Sequence, residues 1–236
     1  MKNLFKHITI AALAGMLFLS CKKDNYEAPS SMLSGALLYV KDTVFVEYDR
    51  VPYQLFQYGF GKVGPIGSSF KQDGTYSSLL FDGDYKFTIP GGQGPFRWKE
   101  LSAGTPDSIA VTVKGNTSLN IDVTPYYMIR GAQFNVSGGK TQASFSIEKI
   151  ITDADAKNVE RVTLYINKTQ FVSGANNIGS ASINGGDISD PSSVNLEVNI
   201  EMPTNQATQN YVFARIGLKI EGIEDMIFSR IQRLDF

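Results

Sequence analysis

The residues able to do chemistry are few. There is one cysteine, Cys21, and one histidine, His7, and both stand near the start, where an apolar run from Ile8 to Leu19 gives way to Cys21-Lys22-Lys23-Asp24. A sulfur with no second cysteine to pair with can still carry a thioether-linked lipid. If residues 1–20 leave as an export signal, His7 goes with Lys2 and Lys6, so the 22 basic residues fall to 20 against 23 acidic ones, a net charge near −3. A chain without histidine and with its only thiol blocked cannot assemble a Ser-His-Asp or Cys-His nucleophile, a histidine-ligated zinc or a thiolate cluster. A slightly acidic balance with no Lys/Arg cluster also argues against nucleic acid, where basic contacts to phosphate supply most of the affinity. No cofactor is expected.

Carboxylates and aromatic rings remain. The stretch "TDADAKN" holds Asp153 and Asp155, and "GGDISD" holds Asp187 and Asp190. Either pair could serve calcium, and acids from the two loops together could hydrolyse a glycosidic bond. Calcium loops bring three or more oxygen ligands close in sequence, and nothing marks one of these acids as buried beside a partner. No metal ligand and no catalytic residue is assigned. The aromatic candidates point to sugar, which is held by flat rings for stacking and a few polar groups for orientation. In "PGGQGPFRWKE" the one tryptophan, Trp98, stands with Phe96 between Gly/Pro turns, flanked by Arg97 and Lys99. The competing use of Trp98 and Phe96 is to cover the open end of a sandwich or wedge between two domains. Tyr126 and Tyr127 form a second candidate, of which an extended backbone turns one inward. Tyr53, Phe56, Tyr58 and Phe60 form a third, which also suits a strand covered on both faces.

The elements that must position these groups are read next. Lys2 and Lys6 precede an apolar segment too short to span a bilayer comfortably and of the right size for a signal-peptide core. Phe18-Leu19-Ser20-Cys21 resembles the lipobox of bacterial lipoproteins, with Phe18 and Leu19 departing from the usual Leu and small residue. The resemblance implies cleavage before Cys21 and acylation of that residue; a mature lipoprotein's three chains exceed the roughly two needed for stable anchoring. The charged "KKDNYE" resembles the surface-export tag of Bacteroidota lipoproteins. Residues 21–30 read as a linker.

Beyond it, apolar and polar residues alternate with turn residues between runs, which predicts an all-β chain. The clearest strands place Ile109, Val111 and Val113 on one face, then Leu119, Ile121 and Val123; Ala143, Phe145 and Ile147; Val162, Leu164 and Ile166; Leu196, Val198, Ile200 and Met202; and Val212, Ala214, Ile216, Leu218 and Ile220. Pro203 closes the fifth by removing a ladder donor. Pro125 in "DVTPYY" sets a stiff joint, dividing the chain into β-sandwiches at residues 31–122 and 123–236, the second with seven-stranded spacing. Asp82-Gly83 predicts a tight hairpin between the runs Tyr76–Phe81 and Tyr85–Ile89.

Gly35, Val51 to Gln57, Asp73-Gly74-Thr75-Tyr76 and Gly83-Asp84-Tyr85 resemble the carboxypeptidase-regulatory-like, or transthyretin-like, sandwich over roughly residues 31–120. With "VTPYY" and an Ig-like or fibronectin-like sandwich after it, the chain resembles a two-domain family of Bacteroidota lipoproteins of unknown function. That resemblance implies an outer-membrane, outward-facing, non-enzymatic accessory of glycan capture, working beside the receptor and transporter pair for polysaccharides. Asp42-Thr43-Val44 and Asp107-Ser108-Ile109 resemble that phylum's O-glycosylation acceptor. The alternative is a structural spacer or adhesin whose ligand is a protein; an Asp/Glu glycosidase ranks last.

Overall fold

The computed structural model describes residues 27–59, 64–201 and 209–236. The leader, Cys21, Phe60, Met202 and Pro203 lie outside the described residues. The all-β expectation holds: two β-sandwiches follow one another, and a 3-10 turn at Gly185–Asp187 is the one helical element among the described residues.

In the first sandwich the strands are β1 (Ser31–Tyr39), β2 (Pro52–Gln57), β3 (Pro65–Ser69), β4 (Thr75–Leu80), β5 (Gly83–Thr88), β6 (Ile109–Val113), β7 (Asn116–Ser118) and β8 (Ile121–Asp122). One layer has β1 antiparallel to β4 and parallel to β7 and β8; the other runs β6-β5-β2-β3. Where β7 hands over to β8, the backbone at Leu119 presses against Gly35, whose missing Cβ would stand 1.8 Å from the Leu119 carbonyl oxygen. That approach explains a glycine in a strand interior. Between the layers Tyr53, Phe70, Tyr76 and Phe87 form a ring cluster with centroids 5.0–6.4 Å apart. The buried tyrosine hydroxyls have partners, as burial requires: Tyr53 meets the Ser78 hydroxyl at 2.7 Å and Tyr76 donates to the Leu119 carbonyl at 2.8 Å.

The hairpin expected at Asp82-Gly83 is not formed. β4 pairs with β1, whereas β5 pairs with β2 and β6, so the turn carries the chain from one layer to the other. Tyr76 and Leu80 on one side and Tyr85 and Phe87 on the other are all buried, and a crossing lets both sets face one core. Asp82 holds the corner: its carboxylate accepts from the Ser31 hydroxyl and the Gly115 N–H.

The second sandwich comprises β9 (Tyr127–Ser137), β10 (Lys140–Lys149), β11 (Val159–Asn167), β12 (Gly179–Asn184), β13 (Val194–Asn199), β14 (Tyr211–Ile220), β15 (Ile227–Phe228) and β16 (Gln232–Asp235). The sheet β9-β10-β13 faces β12-β11-β14, with β15 and β16 following one another along the free edge of β14. Val162, Leu164, Ile166 and Val212, Ala214, Ile216, Leu218, Ile220 are fully buried, as their alternation requires.

The other faces of β11 and β14 depart from simple alternation. Tyr165, Arg215 and Gly217 are covered as well, because β15 and the first sandwich close over them with Met226, Phe228 and Phe45. Arg215 has no exposed surface. Its Nη2 donates to the carbonyls of Val46 at 2.9 Å and Gln72 at 2.7 Å in the first sandwich, and its Nε donates to Ser229 at 3.0 Å in the break between β15 and β16. Its guanidinium carbon stands 4.1 Å from the centre of the Phe228 ring, while Nη1 is buried without a partner among the described residues. Loss of water pushes the guanidinium down to about 9, so it stays charged at neutral pH. Around it the seam continues through Phe228 N–H to Phe45 O at 3.0 Å, Gly94 N–H to Asp225 at 2.7 Å, and the Arg130–Asp42 pair.

Removing the cation strands buried carbonyls on both sides of the seam, at roughly 1–3 kcal/mol for each unpaired group. Arg215→Met is therefore expected to lower stability by about 2–5 kcal/mol and to split one calorimetric transition into two. A single, unshifted transition would remove the seam role from Arg215.

Candidate functional site

The loop after β5 builds the site. Gly94, at φ 86, leaves the space into which the Phe96 ring folds: a Cβ there would stand 2.3 Å from that ring. The Gly94 N–H is anchored on Asp225 of the second sandwich. Phe96-Arg97 then pairs antiparallel with Thr124-Pro125, so the segment joining the sandwiches is itself the strand partner of the candidate loop. Pro95 O accepts from Tyr126 N–H at 3.1 Å, and Tyr126 O accepts from Ile150 N–H at 3.0 Å.

These ties produce a cleft of ≈ 410 Å³ at the seam. Gln93, Arg97 and Trp98 line it from the first sandwich, Tyr126 from the junction, and Asp155 and Lys157 from the loop between β10 and β11. Arg97 Nη1 donates to Asp153 at 2.7 Å and Asp155 at 3.3 Å. Hydrogen bonding from Arg97 holds the Asp153 carboxyl below the usual carboxylate range. Burial pushes the Tyr126 hydroxyl up, with Asp155 adding to it. The Trp98 ring is half-buried against the core with Lys99 Nζ at 6.0 Å, and its indole N–H has no partner among the described residues.

The sequence candidates thus separate. Trp98, Arg97 and Tyr126 share the cleft. Phe96, 5% exposed, touches its wall but belongs to the core, and Tyr127, 6% exposed, spends its hydroxyl on the Lys157 carbonyl at 2.7 Å. Phe96 and Tyr127 support the joint between the sandwiches. Of the third group, Tyr53 is core, Phe56 is half-buried and Tyr58 is exposed beneath Lys86. The acidic pairs are occupied locally: Asp153 and Asp155 by Arg97, and Asp190 by the N–H and hydroxyl of Ser192. No group of three or more His, Cys, Asp or Glu suited to a metal stands together among the described residues. Sequence reasoning missed Asp225, whose turn gave no sign of partnership with a glycine in the other sandwich.

A family profile described as the DUF3823 N-terminal domain, of unknown function, matches residues 31–124, and one described as the domain of unknown function DUF3823_C matches residues 127–233. The chain belongs to the DUF3823 family. A DUF3823 protein of Parabacteroides merdae is 35% identical, with a TM-score of 0.75 over 89% of this chain and 100% of that one. Another from Bacteroides ovatus is 28% identical, with a TM-score of 0.75 over 87% and 99%. A Bacteroides uniformis protein, described as a "putative carbohydrate binding protein", is 15% identical, with a TM-score of 0.64 over 88% and 100%. Among curated proteins none matches.

In this DUF3823 chain Asp225 offers a pH test of the seam. Burial raises its carboxyl above the ordinary value of 3.8, against the lowering effect of the Gly94 N–H. A folded-state value above the unfolded one means that its stabilising contribution is greatest below the unfolded value and is lost as pH rises through the folded one. Asp225→Asn keeps an acceptor for Gly94 N–H without the charge. Urea titrations are expected to show it at least as stable as the parent at pH 7, with that advantage shrinking toward pH 3; a loss at pH 7 would mean that the ionised carboxylate itself is needed.

Proposed function

We propose that this DUF3823 protein is a non-catalytic, lipid-anchored accessory of glycan capture, exposed on the outer membrane and binding carbohydrate in the seam cleft. The observation that carries this reading is the convergence of Trp98 and Tyr126 with the oriented guanidinium and carboxylate of Arg97 and Asp155. Two partly buried rings supply stacking surface, and ion-paired side chains keep spare lone pairs and N–H groups for hydroxyls. The lipobox-like leader supports the anchor at Cys21. A distant relative named for carbohydrate binding has the same fold. An outer-membrane receptor and transporter pair is the proposed neighbour.

Trp98 is the one tryptophan, so emission reports on this cleft alone. Titration with a panel of neutral and acidic polysaccharides is expected to shift that emission for at least one of them. Tyr126→Ala is expected to weaken the same ligand about tenfold, equivalent to ~1.4 kcal/mol, and Trp98→Ala to abolish its retardation in affinity gels. Silence across the panel would favour the spacer, whose support is the extensive bonding of the seam.

The anchor has its own test. A metabolic fatty-acid probe is expected to label the protein and to miss Cys21→Ala, which would be released from membranes; equal labelling of both would place the lipid elsewhere or nowhere.

A further inference from the structure

The seam has another cleft, of ≈ 550 Å³, whose lining shares no residue with the first. Its rim is made by Tyr48, from the turn before β2, and Phe171, from the loop after β11. They are 52% and 40% exposed and meet edge to face, with ring centres 5.1 Å apart at 69°. Exposed apolar residues that stand together, unlike single ones, mark interaction or ligand sites. These are held. The side-chain amide of Asn167, itself buried, donates to the Phe171 carbonyl at 2.6 Å, and Gln72 donates to the Gln170 carbonyl at 3.0 Å, tying the Phe171 loop to the first sandwich. The backbone of Gln72 also receives Arg215, so the seam that buries the guanidinium sets the position of both rings.

The polar groups of the cleft are unlike those around Trp98. Lys71 lines it and has no side-chain partner among the described residues. Arg233 lies 3.9 Å over the Tyr211 ring and donates through Nε and Nη2 to Asp235, which leaves Nη1 as an oriented donor. Asp73, the acid in the lining, already accepts from the N–H and hydroxyl of Thr75. Arg230 continues the basic side past Arg233 in the adjoining hollow. Phe213 and Ile231 lie within the lining as apolar surface. Stacking rings over a partly apolar lining, with cations not spent on acids of the lining, suit a sugar ring bearing a carboxylate or sulfate.

We propose that the Tyr48–Phe171 cleft is a second, independent saccharide site, selective for acidic sugar, with Tyr48 and Phe171 as stacking rings and Lys71 and Arg233 as anion donors. This rests on the reading of the protein as a glycan binder but not on the Trp98 cleft.

The test uses calorimetric titration of the Trp98→Ala variant with polygalacturonate, alginate and heparin. Retained binding of at least one polymer is expected, weakened tenfold or more by adding Tyr48→Ala with Phe171→Ala, and weakened by Lys71→Ala. For polygalacturonate, methyl esterification of the carboxylates is expected to weaken binding in the same way. Both rings are about half exposed, so the double variant should keep one cooperative thermal transition with at most a small shift, and binding loss would then report on the site. Three results overturn the proposal: no acidic polymer binds the Trp98→Ala variant; binding is indifferent to Tyr48 and Phe171; or neutral and acidic forms bind alike. In the first case an emission shift in the parent would leave the Trp98 reading intact, whereas silence in both proteins would end both.

Discussion

A guanidinium cut off from water governs the architecture. Arg215 stands in the middle of a strand whose neighbours of opposite parity form the core of the second sandwich, and the face it occupies is covered by the first. Burying an unpaired cation is prohibitive, and among the described residues no carboxylate makes a salt bridge to this one. Backbone carbonyls and one aromatic face take that part. Two of the carbonyls belong to the other sandwich, so the charge is accommodated only while both units keep one relative placement. A flexible tether would expose it, and the chain would lose the reason for covering that face.

The clefts follow from this joint. The Trp98 loop is anchored on the second sandwich at Asp225 and paired with the junction strand. The Tyr48 and Phe171 rings come from opposite sides of the seam, and the segment that carries Gln72 both receives Arg215 and braces the Phe171 loop. In each place a cleft is assembled from loops on paired sandwiches, the kind of position where function commonly resides. Phe96 and Tyr127 fill the joint, whereas Trp98 and Tyr126 stand at its margin, partly open to the cleft.

How much of this could be read from the sequence depends on whether the information is local. Val212, Ala214, Ile216, Leu218 and Ile220 alternate, and alternation directly encodes one covered face. Arg215 sits at the parity that ordinarily faces water, and only the arrival of another domain reverses that. Asp82-Gly83 marked a break between two strands, but turn chemistry does not say which layer the next strand joins. The composition of "PGGQGPFRWKE" drew attention to a loop that does line the seam cleft, yet its division into a packed Phe96 and a cleft-lining Trp98 depends on Gly94 and on distant Asp225. Tyr48 and Phe171 are isolated aromatics in sequence and become a pair only in three dimensions.

The central claim is that the two sandwiches move as one body. Residual dipolar couplings of backbone amides test it most directly: couplings from residues 31–124 and 127–233 should fit a single alignment tensor in solution. Two tensors of different magnitude would mean independent tumbling, and neither a shared guanidinium clamp nor clefts built across the seam could then stand.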